Sequence, residues 1–213
     1  MLVPKLRRLQ GAMAFAGSVA STVLLMDSTG HAASAPETHD GFLLRLTLGL
    51  GYEGLSLSDG AGTTIDLSGF GLSSSLSLGG VVAENLALHG DFFGLAAVSP
   101  NASLNGEDLG EASDSSISLS GFGAGITYWV MPLNLYLSAS LGLAKATIDI
   151  DGDDADADWG LAVRALVGKE WWVAREWGVG VMAELTWANV PVDVEEGSAS
   201  FLGFNIGLSL SYN

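Results

Sequence analysis

From Gly41 to Tyr212, large apolar side chains alternate with Gly, Ser, Thr or Ala in one stretch after another. In the last stretch Leu202, Phe204, Ile206, Leu208, Leu210 and Tyr212 alternate with Gly203, Asn205, Gly207, Ser209 and Ser211. A period of two belongs to a β-strand with two chemically different faces. The alternation predicts eight strands, at about 41–55, 64–79, 85–98, 116–130, 133–148, 157–170, 176–190 and 199–212. An outward face in water carries Lys, Arg and Glu, yet the small-residue face here has almost none. A narrow closed barrel with bulky apolar residues toward lipid and small polar ones in the lumen accounts for both faces.

Short connections near 80–84, 131–132 and 171–175 alternate with longer ones near 56–63, 99–115, 149–156 and 191–198. Short turns at one end and long loops at the other are expected of a barrel in an outer membrane. The segment Ile65-Asp-Leu-Ser-Gly-Phe-Gly71 recurs as Ile117-Ser-Leu-Ser-Gly-Phe-Gly123, and Asn85-Leu-Ala-Leu88 is echoed by Asn134-Leu-Tyr-Leu137. Within each of the Ile65–Gly71 and Ile117–Gly123 segments the bulky residues change phase beside Ser-Gly, which predicts a β-bulge there.

Aromatic residues fall into two groups. Tyr52, Phe70, Phe122, Trp159, Trp187 and Phe204 lie toward the long-loop end. Phe42, Tyr128, Trp129, Trp171, Trp172, Trp177 and Tyr212 lie toward the short-turn end. From Trp177 to Trp187 a strand rises roughly 33 Å, or about 25 Å once tilted, the height of a lipid-facing band. Amphipathic rings favour both membrane interfaces.

Composition sharpens this reading. The 213 residues are 48% hydrophobic with 29 glycines, no cysteine and a net charge of −16, and mean hydropathy is +0.39. No apolar run reaches the roughly 18 residues of a spanning helix, and only helices and closed barrels satisfy every peptide group in lipid. Most acids fall in the inter-strand segments, and three of the eight basic residues, Lys5, Arg7 and Arg8, sit near the N-terminus. That distribution excludes nucleic acid as a partner. Lys5, Arg7 and Arg8, the apolar stretch Gly11–Met26 and the small residues Ala32, Ala33, Ser34 and Ala35 read as a secretory signal. Residues 1–35 are assigned to signal and cleavage region, and 36–213 to the barrel.

With these features in place, residues 40–213 resemble the small outer-membrane β-barrel superfamily. It includes the outer membrane protein A, X and W types, opacity proteins and porin-like proteins. The resemblance implies a transmembrane eight-stranded antiparallel up-and-down β-barrel in the cell outer membrane. It also implies a monomer in outer-membrane lipid, inserted by the barrel-assembly machinery. Members usually end in an aromatic residue; here Tyr212 is penultimate and Asn213 last.

Inward positions include Arg45, Glu53, His89, Asp91, Asn134, Tyr136, Arg164, Glu184 and Asn205. A turn centred near Val173 and Ala174 sets Arg164 directly opposite Glu184, predicting a cross-strand ion pair in the lumen. It serves as a structural plug or as a gate. His89 and Asp91 invite an acid–base reading, but no compact His-x-Ser motif supplies a nucleophile, and the chain is not read as an enzyme. His31 and His39 are placed outside the barrel.

Asp149, Asp151, Asp153, Asp154, Asp156 and Asp158 form a weak candidate loop for a divalent cation. Asp154 stands where an EF-hand needs glycine, and no glutamate closes the loop. Lys145 is expected to snorkel toward lipid phosphate; Lys169 and Arg175 are placed at the opposite rim. No cofactor is implied. The leading function is structural, with surface interaction through acidic loops. A narrow pore for small solutes is the alternative. A lipocalin-like soluble binder and a lipid-A-modifying enzyme stand behind both.

Overall fold

The computed structural model describes residues 39–59, 62–150, 153–192 and 197–213, apart from the side chain of Asp154; the proposed signal lies outside them. Among the described residues eleven strands run in chain order: β1 (Phe42–Ser58), β2 (Thr64–Ala83), β3 (Leu86–Val98), β4 (Asn101–Leu104), β5 (Glu107–Glu111), β6 (Ser115–Val130), β7 (Leu135–Ile150), β8 (Asp153–Asp156), β9 (Gly160–Trp172), β10 (Trp177–Pro191) and β11 (Ser198–Tyr212). Eight of them pair antiparallel around a ring, β1-β11-β10-β9-β7-β6-β3-β2, and β1 pairs β2 to close it. Closure leaves the wall without a free edge. The eight alternating stretches of the sequence are these eight strands.

Polarity is inverted as the alternation requires. Along β11, Leu202, Phe204, Ile206 and Leu208 are exposed outside, whereas Phe201, Gly203, Asn205 and Ser209 are buried inside. Ile206 and Leu208 are each 61% exposed, which no water-soluble packing tolerates across a whole wall. In lipid the same exposure is the favourable arrangement.

The short turns carry their own signature. Asn85 and Asn134 adopt φ of 58° and 50° at the ends of their turns, a conformation that asparagine tolerates better than most residues. The Asn-Leu echo in the sequence is thus a repeated turn exit. At the other end, β4 and β5 form a hairpin within the segment expected to be a plain loop. Its turn is Asn105-Gly106, with φ of 51° and 83°, the residue pair that two-residue hairpins favour. β4 extends the sheet along the upper part of β2, and β8 does so along β7.

The expected bulge beside Ser-Gly is absent. Pairing of β2 with β1, and of β6 with β3 and β7, runs without a register shift through both repeats. β2 shifts register with β3 only between Val81 and Ala83, next to the turn. The phase change has another cause. Leu67, Ile117 and Leu119 point into the barrel, while Phe70 and Phe122 point out.

Candidate functional site

The lumen is stacked in three layers, and β3 samples each in turn. Its inward residues run Ala87, His89, Asp91, Phe93, Leu95, Ala97 from the short-turn end toward the loops. The uppermost layer is apolar: Leu55, Phe93, Leu95, Ile117, Leu119 and Phe201 fill the bore with small alanines between them. The middle layer is charged. The lowest is mixed aromatic and apolar, built on Leu43, Trp129, Tyr136, Leu166 and Met182.

In the middle layer Arg164 holds two acids. Its Nη1 donates to Asp91 Oδ2 at 2.5 Å, and its Nη2 lies 3.0 Å from Glu184 Oε2. All three side chains are 1% exposed. Arg164 does not stand directly opposite Glu184. The β9–β10 register sets Arg164 against Thr186 and Glu184 against Leu166, because the turn is centred on Arg175, about one residue beyond the expected point, which shifts the pairing by two residues. The long guanidinium bridges the diagonal. Ser77 and Ser140 donate to Asp91, and Thr186 donates to Glu184. Arg164 Cζ also lies 4.8 Å from the centroid of the Phe93 ring, so the same cation caps the apolar layer.

Glu53, also wholly buried, sits between two glycines whose missing side chains make its room. A Cβ on Gly71 would strike its Cγ, and one on Gly203 would strike Oε2 and Leu95. Asn205 lies beside it. His89 Nε2 faces Thr127 Oγ1 at 3.1 Å and Ser138 Oγ at 3.3 Å. The imidazole and both hydroxyl side chains are buried under the apolar layer.

Arg45 belongs to the lower boundary. Its Nε lies 3.5 Å from Glu170 Oε1, and its Cζ sits 3.9 Å over the Tyr136 ring. Trp129 and His39 differ from expectation here. Trp129, assigned to the outer belt, is wholly buried and donates its Nε1–H to Glu170 at 3.0 Å. Glu170, which no sequence pattern singled out, is a lumen acid at 1% exposure. His39, placed outside the barrel, is buried: it stacks on Trp129 with ring centroids 4.1 Å apart and bonds Asn134 Oδ1 at 2.8 Å. Burial holds the His39 imidazole below its ordinary value, against upward pulls from Asn134 and Glu170. Of the other belt members Phe42, Tyr52, Phe70, Phe122, Tyr128, Trp159, Trp171, Trp187 and Phe204 are exposed, whereas Trp177 and Tyr212 are half-buried; Trp172 is half-buried too, its ring 5.1 Å from that of His39.

At the loop end Lys145 donates to Asp156 at 2.7 Å, and Thr147 donates to the same carboxylate's other oxygen at 2.7 Å. Lys145 therefore pairs with the acidic loop instead of snorkelling to phosphate. These bonds hold the Asp156 carboxyl below its usual range. Among the described residues no three acidic or histidine side chains converge as metal ligands; Asp151 lies outside those residues. At the opposite rim Lys169 donates to the Leu133 carbonyl and lies over the Trp171 ring.

No protein-family model and no curated relative matches the chain. Among solved structures, Neisserial surface protein A is 18% identical, covering 83% of this chain and 99% of that one, with a TM-score of 0.49. The outer membrane protein OprG from Pseudomonas aeruginosa is 15% identical, with coverage of 83% and 99% and a TM-score of 0.45. The outer membrane protein AlkL, solved in lipid bilayers, is 19% identical, with coverage of 88% and 96% and a TM-score of 0.43. These likenesses carry no activity with them. A closed wall that is apolar outside, over a bore whose middle is charged, belongs in a membrane. The chain folds as a closed barrel of eight antiparallel strands whose apolar exterior suits lipid.

Proposed function

We propose that this barrel is a closed structural element of the outer membrane that interacts with its surroundings through the acidic loop end. The single observation that carries the reading is the apolar upper layer. Leu55, Phe93, Leu95, Ile117, Leu119 and Phe201 fill the bore with side chains that offer no hydrogen bond to a hydrated solute. A solute passing there must shed water without replacement, at a cost of several kcal/mol for an ion. Below it, Arg164 and its two acids cross the bore a second time. In this reading the ion network fixes the interior and the loops meet the partner. The protein works as a monomer held by lipid.

Planar-bilayer recording tests the reading. Native protein and Arg164→Ala are both expected to give no steady conductance, because the apolar layer closes the bore without help from the arginine. Steady conductance of the native barrel overturns the reading and favours the narrow pore.

A further inference from the structure

We infer that the loop-end mouth binds a small amphiphilic cation, with its apolar part in a cleft above the apolar layer and its charge among the rim carboxylates. The cleft measures about 400 Å³, within the size range of small-molecule sites. Its walls include Leu57, Ile65, Ile148 and Val192, and its floor includes Leu55 and Ala199 of the upper layer. Apolar walls in the mouth of a barrel carry a hydration cost until an apolar surface covers them. Ile65 is 40% exposed. Covering such a surface is favourable for any ligand with a matching apolar part.

Charge selects the ligand class. Asp59 and Asp156 stand on the cleft's rim. Asp66, Glu107, Asp108, Glu111, Asp114, Asp149, Asp153 and Asp158 occupy the same end of the barrel. Among the described residues Lys145 is the one base at that end, and it is already bonded to Asp156. A field of one sign around a low-dielectric cleft concentrates counter-charge and repels anions. A fatty acid or an anionic head group fits the walls and fails at the rim. A hydrophobic amine fits both. Leu55 and Ala199 separate the cleft from the bore beneath it.

The inference rests on the surface-interaction part of the function proposed above, and does not depend on the absence of a pore. The test uses the full chain in zwitterionic lipid nanodiscs, with empty nanodiscs to subtract partitioning. Naphthylmethylammonium, neutral naphthylmethanol and anionic naphthoate serve as probes, followed by naphthalene fluorescence. Saturable binding of the ammonium is expected, with the alcohol roughly tenfold weaker and naphthoate absent. Raising salt from about 0.01 M to about 0.15 M shortens the screening length from about 30 to about 8 Å and weakens the ammonium alone. Ile148→Trp fills the cleft and abolishes saturable binding; heat-modifiable gel mobility checks that this variant remains folded. Asp59→Asn weakens the ammonium without changing the alcohol. Equal binding of ammonium and alcohol, no saturable binding, or binding unaffected by Ile148→Trp each overturns the inference. A barrel that conducts yet binds the ammonium sinks the closed-bore reading alone; a silent barrel that binds no probe sinks the cleft alone.

Discussion

Arg164 reaches Glu184 along a diagonal of the β9–β10 ladder, 3.0 Å from carboxylate to guanidinium, while its direct cross-strand partner is Thr186. The offset lets one arginine serve two acids. A directly opposed pair would turn the guanidinium toward β10; the diagonal leaves Nη1 free to reach Asp91 on β3 across the bore. Three strands that are not all neighbours are tied by one side chain.

Removing that side chain strands two buried carboxylates. Arg164→Ala is expected to destabilise the barrel by about 3–5 kcal/mol, the usual cost of leaving buried charge uncompensated. The urea midpoint of the folded gel band measures it. The triple replacement Arg164→Met, Asp91→Leu, Glu184→Leu removes the charges together and is expected to recover most of the loss. A triple variant as unstable as the single one contradicts this account.

The upper layer has its own expected outcome. Phe201 is wholly buried among Leu55, Leu95, Ile117 and Leu119. Phe201→Ala is expected to cost about 3–5 kcal/mol through lost contact and a residual cavity. Adding Leu119→Ala widens the gap, and bilayer recording should then show conductance that neither the native protein nor Arg164→Ala has. Silence of the double variant would mean that the lower layers suffice to close the bore.

The wall was legible in the sequence because every strand repeats one pattern, apolar outside and small inside. The upper layer was not, since Ile117 and Leu119 carry wall-like side chains at inward positions. Their phase against Phe122 looked like a bulge, and a strictly continuous strand would have turned them inward at once. The Arg164–Glu184 pair was visible as two charges in one hairpin, while its register depended on where the turn closed. Asp91 joins them only through barrel closure, a relationship of strands 73 residues apart in sequence that no local pattern encodes. Trp129 looked like its neighbour Tyr128, yet alternation sends the two to opposite faces, so its inward position was available and was overridden by the aromatic grouping. His39 precedes the alternation and offered no phase to read.

Tyr136 and Gly168 face each other across β7 and β9, and the ring lies over the glycine. A Cβ at Gly168 would enter the ring itself. Gly168→Ala is therefore expected to push Tyr136 off its place under Arg45 and to cost about 1–3 kcal/mol, as overpacking does. Tyr136→Leu combined with Gly168→Ala relieves the clash and should be less destabilised than the sum of the two single changes. Strict additivity in a urea series would show that ring and glycine are not in contact.

His39 gives the lower mouth a pH dependence. Burial disfavours its charged form, and Arg45 adds to that, while Asn134, Glu170 and Asn213 oppose it. The folded value thus lies below the ordinary 6.5 of the free side chain. Between those two values the unfolded chain binds more protons than the folded one, so stability rises with pH across the window. The contribution is intact above the ordinary value and declines as pH falls toward the folded one. Acidification from neutrality should therefore weaken the stack of His39 on Trp129, with Trp129 losing its neighbour while its bond to Glu170 persists. Tryptophan fluorescence against pH, compared with His39→Gln, isolates the effect. The native profile should bend below about pH 6.5 while that of the glutamine variant stays flat; superimposable profiles would remove His39 from the mouth's stability.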